Sequence, residues 1–188
     1  LDAMAHIASK ASKLPKHKII GMGSSLDSAR FKAFIADALN VSPAKVDAIV
    51  IGSHSNLMVP LPAYSKVNNV KITELLAREK INELIERTKK GGEEIVNLLK
   101  TGSAFYAPAS SIALMAESII KGKKLLIPCS SYCEKEYDVG GHFIGVPAIL
   151  GKNGVEKIIE LKLNNEEKEA FKKSVGHVKE LTAKAEIS

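Results

Sequence analysis

Cysteine, aromatic residues and long uncharged runs are all scarce in this chain of 188 residues. Two cysteines cannot form the disulfide framework of a small secreted domain, so we expect reduced thiols and a cytoplasmic location. The longest stretches that are nearly free of charge lie around residues 48–65 and 101–117, and proline, serine and glycine interrupt both of them. Such stretches argue against a membrane span, so we expect no membrane partner.

Blocks of like charge are also lacking. The net charge of +6 comes from lysines that are scattered among glutamates. This pattern is typical of a solvated surface, and it lacks the arginine and aromatic spacing of a protein that binds nucleic acid. The composition, 45% hydrophobic and 26% charged, is that of a soluble globular protein, and the length suffices for one domain with its own core.

The hydrophobic pattern predicts helices early in the chain and strands that cluster late. Helices are predicted at residues 2–13, from Ser24 and Ser25 to residue 38, at 72–100 with a kink or break at Gly91-Gly92, at 107–120 as a buried helix, and after a cap at Asn164 or Asn165. Strands are predicted at residues 18–20, 46–51, 124–129, 142–150 and 155–163, with an extended stretch at 57–67 and a hairpin turn at 152–154. These elements indicate an α/β fold of the α+β kind, with helices packed on a mainly antiparallel sheet.

Two motifs that could hold a ligand fail on their spacing. The stretch 21–25, "GMGSS", follows a predicted strand, but Leu26 stands where a dinucleotide loop needs its third glycine. Cys129, Cys133 and His142 match no common zinc pattern, so we interpret the cysteines as buried thiols and predict no metal site.

The informative residues are a histidine at the end of a predicted strand and a charged pair on a predicted helix. His54 follows the strand at 46–51, while Asp27 and Arg30 are three residues apart and therefore share a helix face. A carboxylate can accept the N–H of an imidazole and select its tautomer, and a guanidinium can bind a substrate carboxylate through two parallel hydrogen bonds. The alternatives without a catalytic role are a histidine in a turn and a surface ion pair that contributes less than about 1 kcal/mol to stability.

Four long stretches, taken in order, resemble the C-terminal catalytic domain of the lactate/malate dehydrogenase family. Residues 21–31, "GMGSSLDSARF", resemble the segment of its substrate-binding arginine, and residues 52–62, "GSHSNLMVPLP", the segment of its active-site histidine. Residues 91–111, "GGEEIVNLLKTGSAFYAPASS", resemble its substrate-pocket helix, and residues 144–161, "IGVPAILGKNGVEKIIEL", its final hairpin. The resemblance extends over nearly the whole chain, and we expect residues 1–188 to form this one domain.

The resemblance implies a reversible hydride transfer between NAD and a small 2-hydroxy or 2-keto acid. His54 would be the proton donor and acceptor, Asp27 its orienting carboxylate, and Arg30 the residue that binds the substrate carboxylate. Ala104 would line the substrate pocket, and Pro108 would lie near the nicotinamide. The resemblance also implies a homodimer or homotetramer, and an N-terminal Rossmann domain for NAD that is absent from this chain, which begins at Leu1-Asp2 without an initiator methionine.

The sequence departs from the family at the two positions that follow the histidine. The family usually has His-Gly-Asp where this chain has His54-Ser55-Asn56. Serine cannot adopt glycine-only backbone angles at low cost, so we expect altered loop stability with the imidazole chemistry kept.

Malate is the expected substrate, because Ala104 is small where lactate-specific relatives tend to carry threonine. The expected reaction is then one of the tricarboxylic acid cycle. Lactate is the alternative, and the choice between NAD and NADP stays open. A second alternative is a non-catalytic module for substrate binding and oligomerisation, because these residues lack a nucleotide site. A serine hydrolase that uses Ser53 or Ser55 is disfavoured, since neighbours of His54 in a strand cannot hydrogen-bond to its ring.

Overall fold

A computed structural model describes residues 1–187 of the chain. Within that range the helices are α1 (Asp2–Ser12), α2 (Gly23–Ala38), α3 (Ile72–Leu75), α4 (Arg78–Leu99), α5 (Tyr106–Lys121) and α6 (Asn165–Ile187). The strands are β1 (Val46–Asp47), β2 (Val50–Ile51), β3 (Val59–Pro60), β4 (Lys66–Val67), β5 (Val70–Lys71), β6 (Leu125–Cys133), β7 (His142–Gly151) and β8 (Gly154–Ile158). Short 3-10 turns lie at Lys16–Lys18, Pro43–Lys45, Pro62–Tyr64 and Glu136–Asp138.

The late strands form one antiparallel sheet in the order β6-β7-β8, with a register shift between Ile149 and Leu150. Nine residue pairs join β6 to β7, with Cys129 opposite Val146, and the predicted hairpin turn at 152–154 connects β7 to β8. Gly154 has a φ of 92°, a left-handed backbone conformation that glycine adopts without strain. The last predicted strand is too long, because β8 ends at Ile158, although the N–H of Ile159 still donates to the carbonyl of Pro147 in β7.

The predicted strand at 46–51 is wrong as a single element. Its first half, β1, pairs with β4, and its second half, β2, pairs with β3, so the two halves belong to different sheets. The backbone between the two halves makes its own hydrogen bond, in which the carbonyl of Ile49 accepts the N–H of Leu61. The predicted extended stretch at 57–67 supplies both partners, β3 and β4, and is interrupted by a 3-10 turn.

Three helix and strand predictions also need correction. No break occurs at Gly91-Gly92, because α4 runs through both glycines, and the long helical stretch divides earlier, at Leu76-Ala77. Residues 18–20 form no strand; Gly21, just after them, makes a single bridge to Ser130 of β6. Helix α5 is not a buried helix. It packs on the sheet along one narrow face, so several of its apolar side chains are exposed.

The buried apolar side chains form three clusters around the sheet. One lies between β7 and α6, a second between α2 and α4, and a third under α5 against β6 and β7. The C-terminal helix α6 begins as predicted, because Asn164 accepts the N–H of Glu167 and Glu167 accepts the N–H of Asn164. All named strand pairs are antiparallel, so the predicted fold class is confirmed.

Candidate active site

The first two turns of α2 are buried although they are mostly polar. Ser24, Ser25 and Ser28 are small enough for the helix to approach β7 closely, and a side chain at Gly145 would collide with Ser24. Ser28 Oγ accepts the N–H of Val50 in β2 at 2.9 Å. This hydrogen bond joins α2 directly to the strand that leads to His54.

The loop after β2 is held by its own backbone and by serine hydroxyls. Gly52, at a φ of 89°, exchanges two backbone hydrogen bonds with Gly145 of β7. Ser53 N–H donates to Ser174 Oγ at 2.7 Å, and the hydroxyls of Ser53 and Ser55 are 2.7 Å apart. The Ser53 and Ser55 hydroxyls are thus bonded to each other, which disfavours their use as nucleophiles activated by the histidine.

Ser55 stands where the resemblance implies a glycine, and its backbone is not strained. In the described chain it is not among the residues with positive φ, and Gly52 is the residue that takes that conformation in this loop. Ser55 Oγ also accepts the N–H of Leu57 at 3.1 Å. The expected cost of glycine-only angles is therefore not present, and the serine adds a hydrogen bond to the loop.

His54 and Asp27 form a hydrogen-bonded pair, with 2.8 Å between Nδ1 of the ring and Oδ2 of the carboxylate. Asp27 is fully buried, and burial raises its pKa, while His54 and Arg30 lower it and the carboxylate of Asp2 raises it further. An ionised carboxylate can only accept, so Nδ1 carries the proton of this pair and Nε2 is left to exchange a proton with another group. The expected pairing of these two residues is thus present.

Arg30 lies beside the carboxylate of Asp27 but forms no hydrogen bond with it. Its guanidinium is 3.6 Å from Asp27 Oδ1, an ion-pair distance that is too long for a hydrogen bond, and that oxygen is otherwise without a partner. A guanidinium carries five N–H donors, so most of its donors are left for a planar anion such as a carboxylate.

His54 and Arg30 meet in a cleft of about 440 Å³ between α2 and α4. Ala104 and Pro108 line the same cleft, so four of the five residues singled out from the sequence face one space, and Asp27 lies behind them. The other lining residues are Met22, Leu26, Gly92, Glu93, Val96, Asn97 and Ser103. Arg30 is the one cation among the lining residues, which suits the binding of a small anionic molecule.

Three residues near the site were not identified from the sequence. A Cβ at Gly23 would lie 2.6 Å from the Cβ of His54, and one at Gly91 would lie 3.0 Å from Cδ of Arg30, so both glycines make room for a functional side chain. Asp2 accepts the N–H of His54 at 3.0 Å. Gly91 carried a signal in the sequence, because paired glycines inside an otherwise continuous helix need a packing reason.

The motifs set aside in the sequence, "GMGSS" and the two cysteines, have surroundings that differ from those of a phosphate loop or a zinc site. Gly23 begins α2 against the imidazole, so the start of that helix is covered and offers no open cradle for phosphate. Both cysteines are buried, and burial raises the pKa of Cys129 to about 11 and that of Cys133 to about 12. In residues 1–187 no group of three or more His, Cys, Asp or Glu side chains could hold a metal ion. No helix of the described part has the length and hydropathy to cross a membrane.

Comparison with protein families gives one assignment. Residues 24–187 match the model described as "lactate/malate dehydrogenase, alpha/beta C-terminal domain". The chain is 54% identical to a malate dehydrogenase of Picrophilus torridus, over 98% of the chain and 58% of that relative. The chain therefore spans about three fifths of the length of the curated relatives that it matches.

Solved structures give the same result. A malate dehydrogenase of Cryptosporidium parvum superposes with a TM-score of 0.98 at 40% identity, over 100% of this chain and 62% of that one. A lactate dehydrogenase of the same organism, in complex with lactic acid and nicotinamide adenine dinucleotide, has a TM-score of 0.97 at 38% identity over 100% and 61%. Malate and lactate enzymes are thus both close in structure to this chain.

Proposed function

The chain belongs to the lactate/malate dehydrogenase family, and we propose that residues 1–188 are the catalytic and substrate-binding domain of an enzyme that interconverts malate and oxaloacetate with NAD. The observation that carries the proposal is the meeting, in one cleft, of Arg30 with a histidine that is paired to a buried carboxylate. Such a pair can exchange a proton next to a bound anion, which is what oxidation of a 2-hydroxy acid requires.

His54 acts in this proposal as the proton acceptor and donor. Asp27 holds the proton on Nδ1, so Nε2 is free to take the hydroxyl proton of the substrate on oxidation and to return it on reduction. The imidazolium that forms is stabilised by the carboxylate, and the pair is largely shielded from water because Asp27 is fully buried.

Arg30 orients the substrate. Two parallel hydrogen bonds from the guanidinium to the substrate carboxylate leave little freedom of rotation, so the hydroxyl-bearing carbon is presented to Nε2 in one orientation. The ion pair with Asp27 at 3.6 Å keeps the guanidinium on the same side of the cleft as the histidine.

The cofactor half of the proposed reaction needs residues that this chain does not supply. A nicotinamide ring, when bound, would accept or donate the hydride at the substrate carbon. Pro108, at the edge of the cleft that His54 lines, fits a contact with such a ring. The start of α2 is covered, so the pyrophosphate would be bound by the N-terminal nucleotide domain that we propose as part of the whole enzyme.

Malate is proposed over lactate because Ala104, which lines the cleft, has a small side chain that would leave room for a second carboxylate. Arg30 is the one cation among the cleft residues and Glu93 is an anion at its rim, so the second carboxylate would need a cation from the nucleotide domain. Lactate remains the second candidate, because a lactate dehydrogenase superposes on this chain as well as the malate enzymes do.

Exposed apolar side chains on α1 and α5 support the proposal of a further domain. Met4, Ile112 and Ile120 are more than half exposed, and the part of α1 and α5 near them forms an apolar depression of about 560 Å³. Since the chain spans about three fifths of its relatives' length, we place the remaining two fifths, the nucleotide domain, against this surface. The homodimer or homotetramer implied by the resemblance belongs to the same proposal, and light scattering of the full-length enzyme tests it.

Steady-state kinetics of the full-length enzyme test the substrate. We expect a higher kcat/KM for oxaloacetate with NADH than for pyruvate, and the opposite order would replace malate by lactate while keeping the roles of His54, Asp27 and Arg30. Calorimetry on the 188-residue chain provides the complementary measurement. It should detect no binding of NADH, and micromolar affinity would show a nucleotide site within this domain.

A further inference from the structure

Asp2 is a buried carboxylate that is hydrogen-bonded to the loop of His54 and to strand β6. The residue is 5% exposed and is the first residue of α1. Oδ2 accepts the backbone N–H of His54 at 3.0 Å, and Oδ1 accepts the hydroxyl of Ser130 at 2.6 Å. A carboxylate with two partners that are 52 and 128 residues away joins distant parts of the chain.

The Ser130 contact connects Asp2 to the start of α2. Ser130 is buried in β6, and its backbone exchanges two hydrogen bonds with Gly21, at 2.9 and 2.8 Å. Gly21 lies two residues before α2, the helix that carries Asp27 and Arg30. Asp2 therefore connects the loop of His54 with the segment that places the partner of its imidazole.

Asp2 and Asp27 bind the same histidine at different atoms. Asp2 fixes the backbone nitrogen, whereas Asp27 fixes the ring nitrogen Nδ1. A backbone held at one point and a ring held at another leave the imidazole little freedom about its side-chain bonds. Hydrogen bonds from a backbone N–H to a carboxylate are stronger than those to neutral oxygens, so Asp2 restrains the backbone of His54 strongly.

We propose, on the basis of the proposed function, that Asp2 is a positioning residue of the dehydrogenase: by holding the backbone of His54 it keeps Nε2 in line with a substrate bound at Arg30. Asp2 is not among the residues that line the cleft, so we expect it to act on the rate of the proton transfer step. Its direct contact is with His54 and not with Arg30, so we expect a smaller effect on substrate binding.

Kinetics of the full-length enzyme with Asp2→Ala and Asp2→Asn test the role. We expect Asp2→Ala to lower kcat at least about tenfold with KM changed less than about threefold, since a small misplacement of a catalytic group lowers the rate of the chemical step. Asp2→Asn should recover kcat to within about threefold of the wild type, because its amide oxygen accepts from His54 and its NH₂ donates to Ser130. Ser130→Ala, which removes only the second anchor, should give an intermediate kcat.

The proposal is overturned if Asp2→Ala keeps its kcat, if KM rises in proportion to the loss of kcat, or if Asp2→Asn is as slow as Asp2→Ala. Should Asp2→Ala fail to fold, Asp2→Ser takes its place, because it keeps a polar atom at the start of α1 but shortens the reach to His54. The same kinetic split is then expected of it.

Amide hydrogen exchange on the 188-residue chain separates this inference from the proposed function. The His54 amide should exchange at least about tenfold faster in Asp2→Ala than in the wild type and in Asp2→Asn, because its acceptor is lost. A wild-type full-length enzyme that oxidises no 2-hydroxy acid would refute the proposed function, and the exchange measurement would still decide the contact. Unchanged exchange in Asp2→Ala would overturn the contact even in an active enzyme.

Discussion

Helices α2 and α5 have the same length, sixteen residues, and opposite relations between side-chain polarity and burial. The first six residues of α2, Gly23 to Ser28, are all buried although only Leu26 among them is apolar. In α5 the buried residues are Ser111, Met115 and Ser118, while apolar neighbours are exposed.

The difference shows that burial follows what packs against a helix. The polar residues of α2 are tolerated inside because most have a partner, such as Val50 for Ser28 and His54 for Asp27. The apolar residues of α5 are exposed because the described chain covers only one of its faces, and Ile120 is 78% exposed. A polar helix that is buried indicates a site, and an apolar helix that is exposed indicates a surface for another domain.

The largest effect is expected from the most buried polar residue of α2. Asp27→Asn in the full-length enzyme should lower kcat about 100- to 10,000-fold, because the neutral amide no longer selects the tautomer of His54 or stabilises its imidazolium. Steady-state kinetics with oxaloacetate measure the loss. Activity within a few-fold of the wild type would remove Asp27 from the mechanism and make α2 a purely structural helix.

The same variant should not lose stability at neutral pH. Burial raises the pKa of Asp27 above 3.8, so the folded chain binds more protons than the unfolded chain between that value and the raised one. Stability then falls as pH rises through this window, and the asparagine variant lacks that slope. Denaturant unfolding at several pH values checks the sign, and a steeper pH dependence in the variant would contradict it.

The next comparison is between two apolar residues of α5. Met115 is 6% exposed and Ile112 is 54% exposed. Met115→Ala should lower the free energy of unfolding of the 188-residue chain by about 2–5 kcal/mol, since it leaves a cavity against β6 and β7. Ile112→Ala should change it by no more than about 0.5 kcal/mol. Equal losses in chemical denaturation would mean that α5 is covered on both faces.

A smaller effect is expected from replacing Arg30, the residue of α2 that binds the substrate carboxylate in the proposed function. Arg30→Lys should lower kcat/KM about 10- to 150-fold, the equivalent of about 1.5–3 kcal/mol for a lost charge-assisted hydrogen bond. Most of the loss should appear as a higher KM for oxaloacetate. Lys32→Arg, on the same helix and outside the cleft-lining residues, is the control, and unchanged kinetics in Arg30→Lys would remove Arg30 from the site.

The smallest effect concerns the glycine beside Arg30. Gly91→Ala should raise KM about two- to tenfold, because its Cβ would lie 3.0 Å from Cδ of Arg30 and the side chain must shift by a few tenths of an ångström. The control is Gly176→Ala in α6, where a Cβ meets no atom within 4 Å. Both changes favour the helix by up to about 1 kcal/mol, so a higher KM without a loss of stability identifies the contact with Arg30.

Local signals in the sequence predicted those parts of the fold that depend on neighbouring residues. The hairpin turn at 152–154, the cap at Asn164, and the shared face of Asp27 and Arg30 each involve residues no more than four apart. Their interactions form in almost any surroundings, because a turn conformation, a capping hydrogen bond and a helical spacing are set by the local backbone. Resemblance to a family then gave His54 its expected role and added Ala104 and Pro108, and the structure shows these three residues lining one cleft.

Only the tertiary structure decided the features that depend on distant segments. The strand at 46–51 divides because its halves find different partners at β4 and β3. Gly91 lies inside a continuous helix and faces Arg30, 61 residues earlier. Apolar side chains of α5 are exposed because the described chain covers only one face of that helix. Asp2 contacts the backbone of His54 across 52 residues. Hydropathy and spacing report what a side chain prefers, whereas packing of the whole chain determines which partner it meets, and the candidate site is built from such meetings.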